Sequence, residues 1–287
     1  MKYVSKTDVC VDGAATVRTS AVTRTATKEA LRMIGIVAGI IGVVNARFYV
    51  PDATSAGDLA TLPHDEAQHL TRVLRLKTGD SVRVFNGRGG EFNATVESAV
   101  KEDVRVRVGS VLETAVEARV AVTLAQAVLK GDKMDDVVRD AVMMGVVAIQ
   151  PIVTARSEVS LAALERGRRR DRWERIAISS AKQCGRAVVP MILEPRPLES
   201  FEGAVPAPVL MLVEPGAASG ATALGDLDLP VPDAATVIVG PEGGWTLEEL
   251  DAVSRFGRLI TLGGRTLRAD AMAVIALAAL FAKWREF

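Results

Sequence analysis

TVIVGPEGGWTLEELDAVSRFGRLITLGGRTLRADAMAVIALAALFA, residues 236–282, is the stretch whose reading decides the fold. It holds two short aliphatic runs, Thr236 to Val239 and Leu259 to Leu262, and each ends on a glycine cluster that leads into a helical pattern. Glycine lacks a Cβ and tolerates positive φ, so Gly240, Gly243 and Gly244 let the chain turn sharply and press main-chain N–H and C=O groups against a ligand. Thr246 followed by Glu249 is a capping box, which starts a helix with Leu247, Leu250 and Val253 on its inner face. In the second exit Gly263 and Gly264 precede Arg265 and Arg268. Asp270 then opens Ala271 to Ala282, apolar almost all round, which predicts a buried helix. Two similar strand-to-glycine exits imply one binding crevice, although either one alone is also an ordinary turn of an α/β domain.

Nucleotide motifs fit this stretch poorly. GPEGGW lacks the G-x-G-x-x-G spacing, and no G-K-[ST] follows a glycine loop, so a cofactor carrying a pyrophosphate or triphosphate is not expected. Upstream, strands and helices alternate. Arg119 to Ala127 is strand-like, and a helix from Asp132 sets Met134, Val137, Val138, Ala141 and Met144 on one face and ends at Gly145. VVAIQPI (146–152) is the next strand, Trp173 to Ala187 a helix and Val209 to Val213 a strand. Strands separated by helices predict a parallel sheet covered on both faces. The proline-rich 190–208 and Gly/Ala-rich 215–225 segments read as loops.

Residues 47–113 differ in pattern. FYV, SVRVF, EFNATV and VRVRV alternate with period two between Gly turns, which predicts a small barrel. A helix-like patch, His64 to Leu76, interrupts it and brings Arg72 and Arg75 together on one turn. Leu112 to Glu117 is the link to the second domain.

Several words in this order resemble the 16S rRNA uridine-N3 methyltransferases of the RsmE type, within the SPOUT superfamily. They are VIVGPEGGWTLEEL (237–250), LGGRTLRADA (262–271), KGDKMDDVVRDAVMMGVVAIQPIVTARS (130–157), AKQCGRAVVP (181–190), and RFYVP with HLTRVLRLKTGDSVRVFNGRGG (47–51, 69–90). The resemblance covers about residues 46–285 and implies an α/β fold: a SPOUT-type parallel sheet with a C-terminal trefoil knot over residues 116–287. A small N-terminal PUA-like β-barrel over 46–115 would grip RNA. It implies an S-adenosylmethionine pocket built from Leu212, Glu214, Gly240, Pro241, Glu242, Gly243, Gly244, Leu262, Gly263 and Leu267. It also implies phosphate contacts by Arg47, Arg72, Arg75 and Arg186, and a homodimer acting on 16S rRNA of the small ribosomal subunit.

Methylation of N3 needs a nitrogen that has lost its proton, so the enzyme must favour the uridine anion. An arginine near O2 or O4 does this by preorganised charge. Arg268 and Arg265 are the candidates, with Glu242 or Asp270 as proton acceptor. Glu242 is equally read as a cap for backbone donors, and Asp270 as the N-cap of the last helix. Where the family carries Glu-Thr after the Leu-Arg pair and one residue, this chain has Asp270-Ala271. Gln183 and Arg186 match a family word and would support the pocket or meet RNA, and Gln183 is equally read as a packing residue. Two other readings keep the residues and change the role: methylation of a different RNA position or ribose hydroxyl, and an RNA-binding ribosome-assembly protein without catalysis.

Composition bounds the rest. At 287 residues and 49% hydrophobic, the chain has core for two domains. Lys plus Arg and Asp plus Glu number 35 each, so overall charge names no partner. Its distribution does: Glu165 to Arg186 carries eight basic and three acidic residues, and Glu214 to Asp251 eight acids with no Lys or Arg. A basic stripe on a neutral protein suits a phosphate backbone, or a solvated helix face. Cys10 and Cys184 match no C-x-x-C pattern, and His64 and His69 are the only histidines, so disulfide and metal sites are not expected. Residues 1–45 are atypical, a flexible extension or an upstream start ahead of one near Val43. Their apolar run Met33 to Val44 is too short to span a bilayer, and the later domains read as cytosolic.

Overall fold

The computed structural model describes residues 46–100 and 103–286, which form one compact unit. The expectations for residues 1–45, Cys10 among them, lie outside the described residues.

Five strands form the first sheet: β1 (Arg47–Tyr49), β2 (Leu59–Thr61), β3 (Ser81–Phe85), β4 (Glu91–Val100) and β5 (Asp103–Val111), in the order β1-β3-β4-β5-β2. Every pair is antiparallel except β1 with β3. The period-two reading holds: Val104, Val106 and Val108 of β5 point inward while Arg105 and Arg107 face water. They pack with Phe48, Val82, Val84 and Leu70 in a common core. Between β2 and β3, helix α1 (His64–Gln68) gives way to a wider π-helical turn, His69–Val73, and the chain leaves it through Arg75 at φ +56°.

The second sheet is wholly parallel: β6 (Ala121–Ala127), β7 (Ala148–Val153), β8 (Met191–Ile192), β9 (Arg196–Pro197), β10 (Val209–Leu212), β11 (Thr222–Ala223), β12 (Ala234–Val239) and β13 (Arg258–Thr261). Its order is β11-β13-β10-β12-β6-β7-β8, with β9 also paired to β7. Helices α2 (Lys133–Met144), α3 (Leu161–Arg166), α4 (Arg169–Cys184), α5 (Leu247–Ser254) and α6 (Ala269–Trp284) connect the strands. Alternate residues of each central strand feed opposite cores. Leu210, Leu212, Val237 and Val239 join α2, α4 and α6 on one face. Met211, Val213 and Ile238 meet Leu250 and Val253 of α5 on the other. Burial on both faces is why these strands read as continuous apolar runs. A fully buried side chain of this size stabilises by roughly 1.5–3 kcal/mol.

Four expectations change. Residues 190–208 and 215–225 are not plain loops: the two-residue strands β8, β9 and β11 lie in or beside them, held by pairing to β7 and β13. Helix α4 begins at Arg169, before Trp173. Leu247 is 75% exposed because α5 turns Glu249, Leu250 and Val253 inward. Helix α6 buries Met272, Ala276, Leu280 and Trp284 but leaves Ile275 and Ala282 exposed, so it is not covered all round.

The two sheets are joined at the C-terminus of α4. The Arg47 guanidinium donates to the carbonyls of Ala181 at 2.9 Å and Arg186 at 2.7 Å, pairs with Glu91 at 2.9 Å and lies over the Phe85 ring. A cation satisfies the last carbonyls of a helix and complements its dipole. Lys182 returns the contact, pairing with Glu66 at 2.7 Å.

Candidate active site

A cleft of about 320 Å³ opens at the C-terminal ends of β10 and β12. Ligands of parallel α/β sheets sit at such strand ends. Three chain segments wall it: Leu212 to Glu214 after β10, Gly240 to Glu242 with Gly244 and Trp245 after β12, and Thr266 to Asp270 leading into α6. Lys133, the first residue of α2, completes the rim.

The loop after β12 is shaped by contacts that leave no room for larger residues. A Cβ on Gly240 would lie 2.9 Å from the Trp245 indole, whose Nε1 donates to the Leu212 carbonyl at 2.8 Å. This bond ties two of the three walls together. Gly244 sits at φ +67° and donates its N–H to the Pro241 carbonyl at 3.0 Å, closing the turn. The capping box is present: Thr246 Oγ1 accepts from the Glu249 N–H at 3.2 Å, and Glu249 accepts from Thr246 N–H at 2.9 Å. The other oxygen of Glu249 accepts from the Ala155 N–H at 2.8 Å, so this buried carboxylate fixes α5 to the loop after β7. From that loop, Arg156 donates to the Gly243 carbonyl at 2.8 Å.

The charged groups of the cleft are arranged in pairs. Lys133 Nζ meets Glu242 at 2.7 Å, and Arg268 holds Asp270 through two bonds of 3.0 and 2.8 Å. Burial pushes the Glu242 carboxyl up, but hydrogen bonds from Lys133 and from backbone N–H groups outweigh it and leave the group below its ordinary value. The Arg268 hydrogen bond holds Asp270 below its ordinary value against a smaller effect of burial, and Asp270 in turn raises Arg268. Both carboxylates are therefore weak proton acceptors while these pairs persist. Glu214 lines the cleft as well, so its wall carries three acids and two bases.

Of the residues singled out from the sequence, Leu212, Glu214, Gly240, Pro241, Glu242, Gly244, Leu267 and Arg268 line one cleft. Gly243 stands behind it, against Arg156. Leu262 and Gly263 line a separate depression with Leu224, Ile275 and Ala279, and the exposed Arg265 lies in neither. Arg72 and Arg75 are exposed on the barrel. The expectation that Arg47 and Arg186 reach phosphate is corrected by their burial. The Arg47 side chain is 9% exposed and bonded as described above, while Arg186 donates to Glu117 at 2.6 Å and to the Val142 carbonyl at 2.7 Å. Gln183 does not line the cleft and stands beside Asp135 and Arg139.

Sequence reasoning missed Lys133, Thr266, Trp245 and Gln126. Gln126 is fully buried at the end of β6 and donates to the carbonyls of Ala127 at 3.0 Å and Gly240 at 3.4 Å. Trp245 carried a usable signal, an aromatic directly after a glycine turn. Lys133 carried none, because its partner stands 109 residues away.

Comparison with known proteins agrees with this geometry. Residues 116–281 match the RNA methyltransferase domain family, and residues 62–109 the RNA methyltransferase PUA domain. The ribosomal RNA small subunit methyltransferase E of Synechocystis is 30% identical over 224 residues, 76% of this chain and 71% of that protein. The structure of ribosomal RNA small subunit methyltransferase E from Neisseria gonorrhoeae bound to S-adenosyl methionine superposes with a TM-score of 0.73 at 31% identity, covering 83% of this chain and 98% of that one. A Legionella pneumophila methyltransferase structure with bound SAM gives 0.76 at 32% identity, covering 83% and 98%.

Proposed function

The chain belongs to the ribosomal RNA small subunit methyltransferase E family, and from that premise we propose that it transfers a methyl group from S-adenosylmethionine to N3 of a uridine in 16S rRNA of the small ribosomal subunit. The observation that carries this reading is the cleft at the ends of β10 and β12, walled by main chain and rimmed by Arg268. Its residues suit the cofactor. Gly240 and Gly244 let backbone groups approach a nucleoside closely, and Glu214, Glu242 and Asp270 complement a cationic sulfonium and ammonium. When bound, S-adenosylmethionine supplies the electrophilic methyl.

Leu212 to Glu214, Gly240 to Glu242 and Leu267 would hold it, with Trp245 keeping the first two segments together. Arg268, whose side chain is 75% exposed at the rim, would face the incoming base and stabilise charge as it spreads onto the uridine carbonyls. The depressed pKa values of Glu242 and Asp270 fit groups that set charge, and leave the N3 proton to water.

A homodimer is the second part of the proposal. Ile275 is 40% exposed on the largely apolar α6, and with Ala279, Leu262 and Leu224 it forms a mostly apolar depression, edged by Lys283, that a second copy would cover. Size-exclusion chromatography with light scattering tests this, and a monomeric mass at micromolar concentration removes it. The activity is tested by primer extension on small-subunit rRNA from a deletion strain. A methyl at N3 blocks Watson–Crick pairing, so one polymerase stop present in the parent should vanish and return on complementation. Identical stop patterns in both strains would refute the reading.

A further inference from the structure

We propose that Arg166, Arg168 and Arg169, at the junction of α3 and α4, form an RNA backbone-binding surface beside the cleft. This inference rests on the functional reading above and locates where that substrate is gripped outside the pocket.

Of the eight basic residues from Glu165 to Arg186, four are ion-paired, three are unbonded among the described residues, and Arg175 donates to the Asp171 carbonyl at 3.2 Å. Arg170 pairs with Glu174 and Glu194, Arg172 with Asp132 and Asp135, Lys182 with Glu66 and Arg186 with Glu117. These four are neutralised within the protein. Arg166, Arg168 and Arg169 are exposed, and their side chains make no hydrogen bond or ion pair among the described residues. The neighbouring acids Glu165 and Asp171 form no ion pair with them either.

Their position is unfavourable for folding. Arg168 occupies the N-cap of the 16-residue α4 without a side-chain cap, and Arg169 and Arg170 follow in the first turn, where Asp171 is the one acid. The N-terminus of a helix carries partial positive charge, so cations there repel the dipole and one another. A polyanion laid across this junction would relieve both repulsions. An RNA phosphodiester backbone offers such charge, and arginine forks match phosphate oxygens.

The junction is tied to the cleft rim from two directions. Arg172, four residues past the α4 N-cap, reaches Asp132 at 3.2 Å, and Asp132 precedes Lys133, which lines the cleft. On the other approach, the segment leading into α3 carries Arg156 on the Gly243 carbonyl and Glu158 on Lys130 at 3.2 Å. Segments that line the cleft or shape its glycine loop therefore adjoin the helix pair that carries the arginines, and an RNA strand crossing that junction would run toward the rim where Arg268 stands.

The test measures binding of a small-subunit rRNA transcript to the full chain across a series of KCl concentrations. A variant combining Arg166→Ala, Arg168→Ala and Arg169→Ala should bind at least tenfold more weakly at low salt. Its log–log salt dependence should be shallower by about two, at about 0.7 for each phosphate that is no longer neutralised. Calorimetric affinity for S-adenosylmethionine should stay within twofold, and the thermal midpoint should hold or rise as helix-end repulsion is removed. Unchanged RNA affinity and slope in a folded variant would overturn the inference and leave the functional reading standing. Failure of the parent chain to bind the transcript would overturn both. Loss of polyglutamate binding with RNA binding intact would assign the surface to an acidic protein instead.

Discussion

Lys133 and Glu242 meet at 2.7 Å across the mouth of the cleft, although 109 residues separate them in the chain. Their side chains are 37% and 36% exposed, so the pair contributes little to stability, under about 1 kcal/mol. Its consequence is electrostatic. Glu242→Gln removes a negative charge from the lining and should weaken S-adenosylmethionine roughly two- to fivefold more than it weakens the product S-adenosylhomocysteine, which lacks the sulfonium charge. Lys133→Met leaves Glu242 uncompensated and should move that preference the other way. Calorimetry with both ligands measures it, and equal effects on the two would show that neither side chain senses the sulfonium.

Gly240→Ala tests the packing of the glycine loop. The new methyl would lie 2.9 Å from the Trp245 ring, a rigid and largely buried group that cannot swing aside. Overpacking of this kind costs about 1–3 kcal/mol. Because Trp245 ties the loop to the Leu212 carbonyl, the variant should lose stability in urea and cofactor affinity together. Full cofactor affinity in this variant would mean that the turn adapts.

Arg47→Ala separates a structural arginine from an RNA contact. The guanidinium is bonded to Glu91 and to carbonyls at the end of α4, so its removal leaves a buried carboxylate with Arg83 alone at 2.7 Å. Breaking a buried pair costs about 3–5 kcal/mol, and the remaining Arg83 places this change toward the lower end. Urea unfolding should show the loss, while the RNA affinity of the folded fraction stays at the parent value. A stable protein with weakened RNA binding would restore Arg47 to the interface.

Much of this architecture was legible in the sequence because its signals are local. The strand-like runs read at Arg119 to Ala127 and Thr236 to Val239, the Thr246 to Glu249 capping box and the end of α2 at Gly145 each depend on residues a few positions apart. What was hidden depends on distant pairing. Arg47 and Arg186 read as surface cations until Glu91 and Glu117 are placed beside them. Strands β8, β9 and β11 are two residues long and carry no period. Leu262 and Gly263 follow the same strand-to-glycine pattern as Val239 and Gly240, yet β13 lies on the far side of β10 from β12, and its exit opens into another depression.

Arg268 is exposed, so substitution there should leave folding intact and act on chemistry. Arg268→Ala should lower methyl transfer by about 100-fold or more with cofactor affinity largely kept, as expected when a preorganised charge is removed from a transition state. Arg268→Lys should recover part of the rate. Asp270→Glu restores the family's longer carboxylate beside the same guanidinium, which Asp270 now holds at 2.8 Å, and should change the rate less than Arg268→Ala does. Near-normal turnover in Arg268→Ala, measured with labelled S-adenosylmethionine, would remove this residue from the mechanism.

The pH dependence follows from the depressed carboxylates. Glu242 and Asp270 both titrate below their ordinary values, so the pairing each makes is complete above the unfolded-state pKa and is lost only as pH falls through the lower folded value. Neither group changes charge in the neutral or alkaline range. The rate should therefore rise with pH through neutrality as uridine N3 gives up its proton, without an ascending limb from an enzyme carboxylate. Glu242→Gln should keep that profile and change only its height. An ascending limb near about pH 6 in the parent that disappears in Glu242→Gln would identify Glu242 as the general base, and would require its bond to Lys133 to open before chemistry.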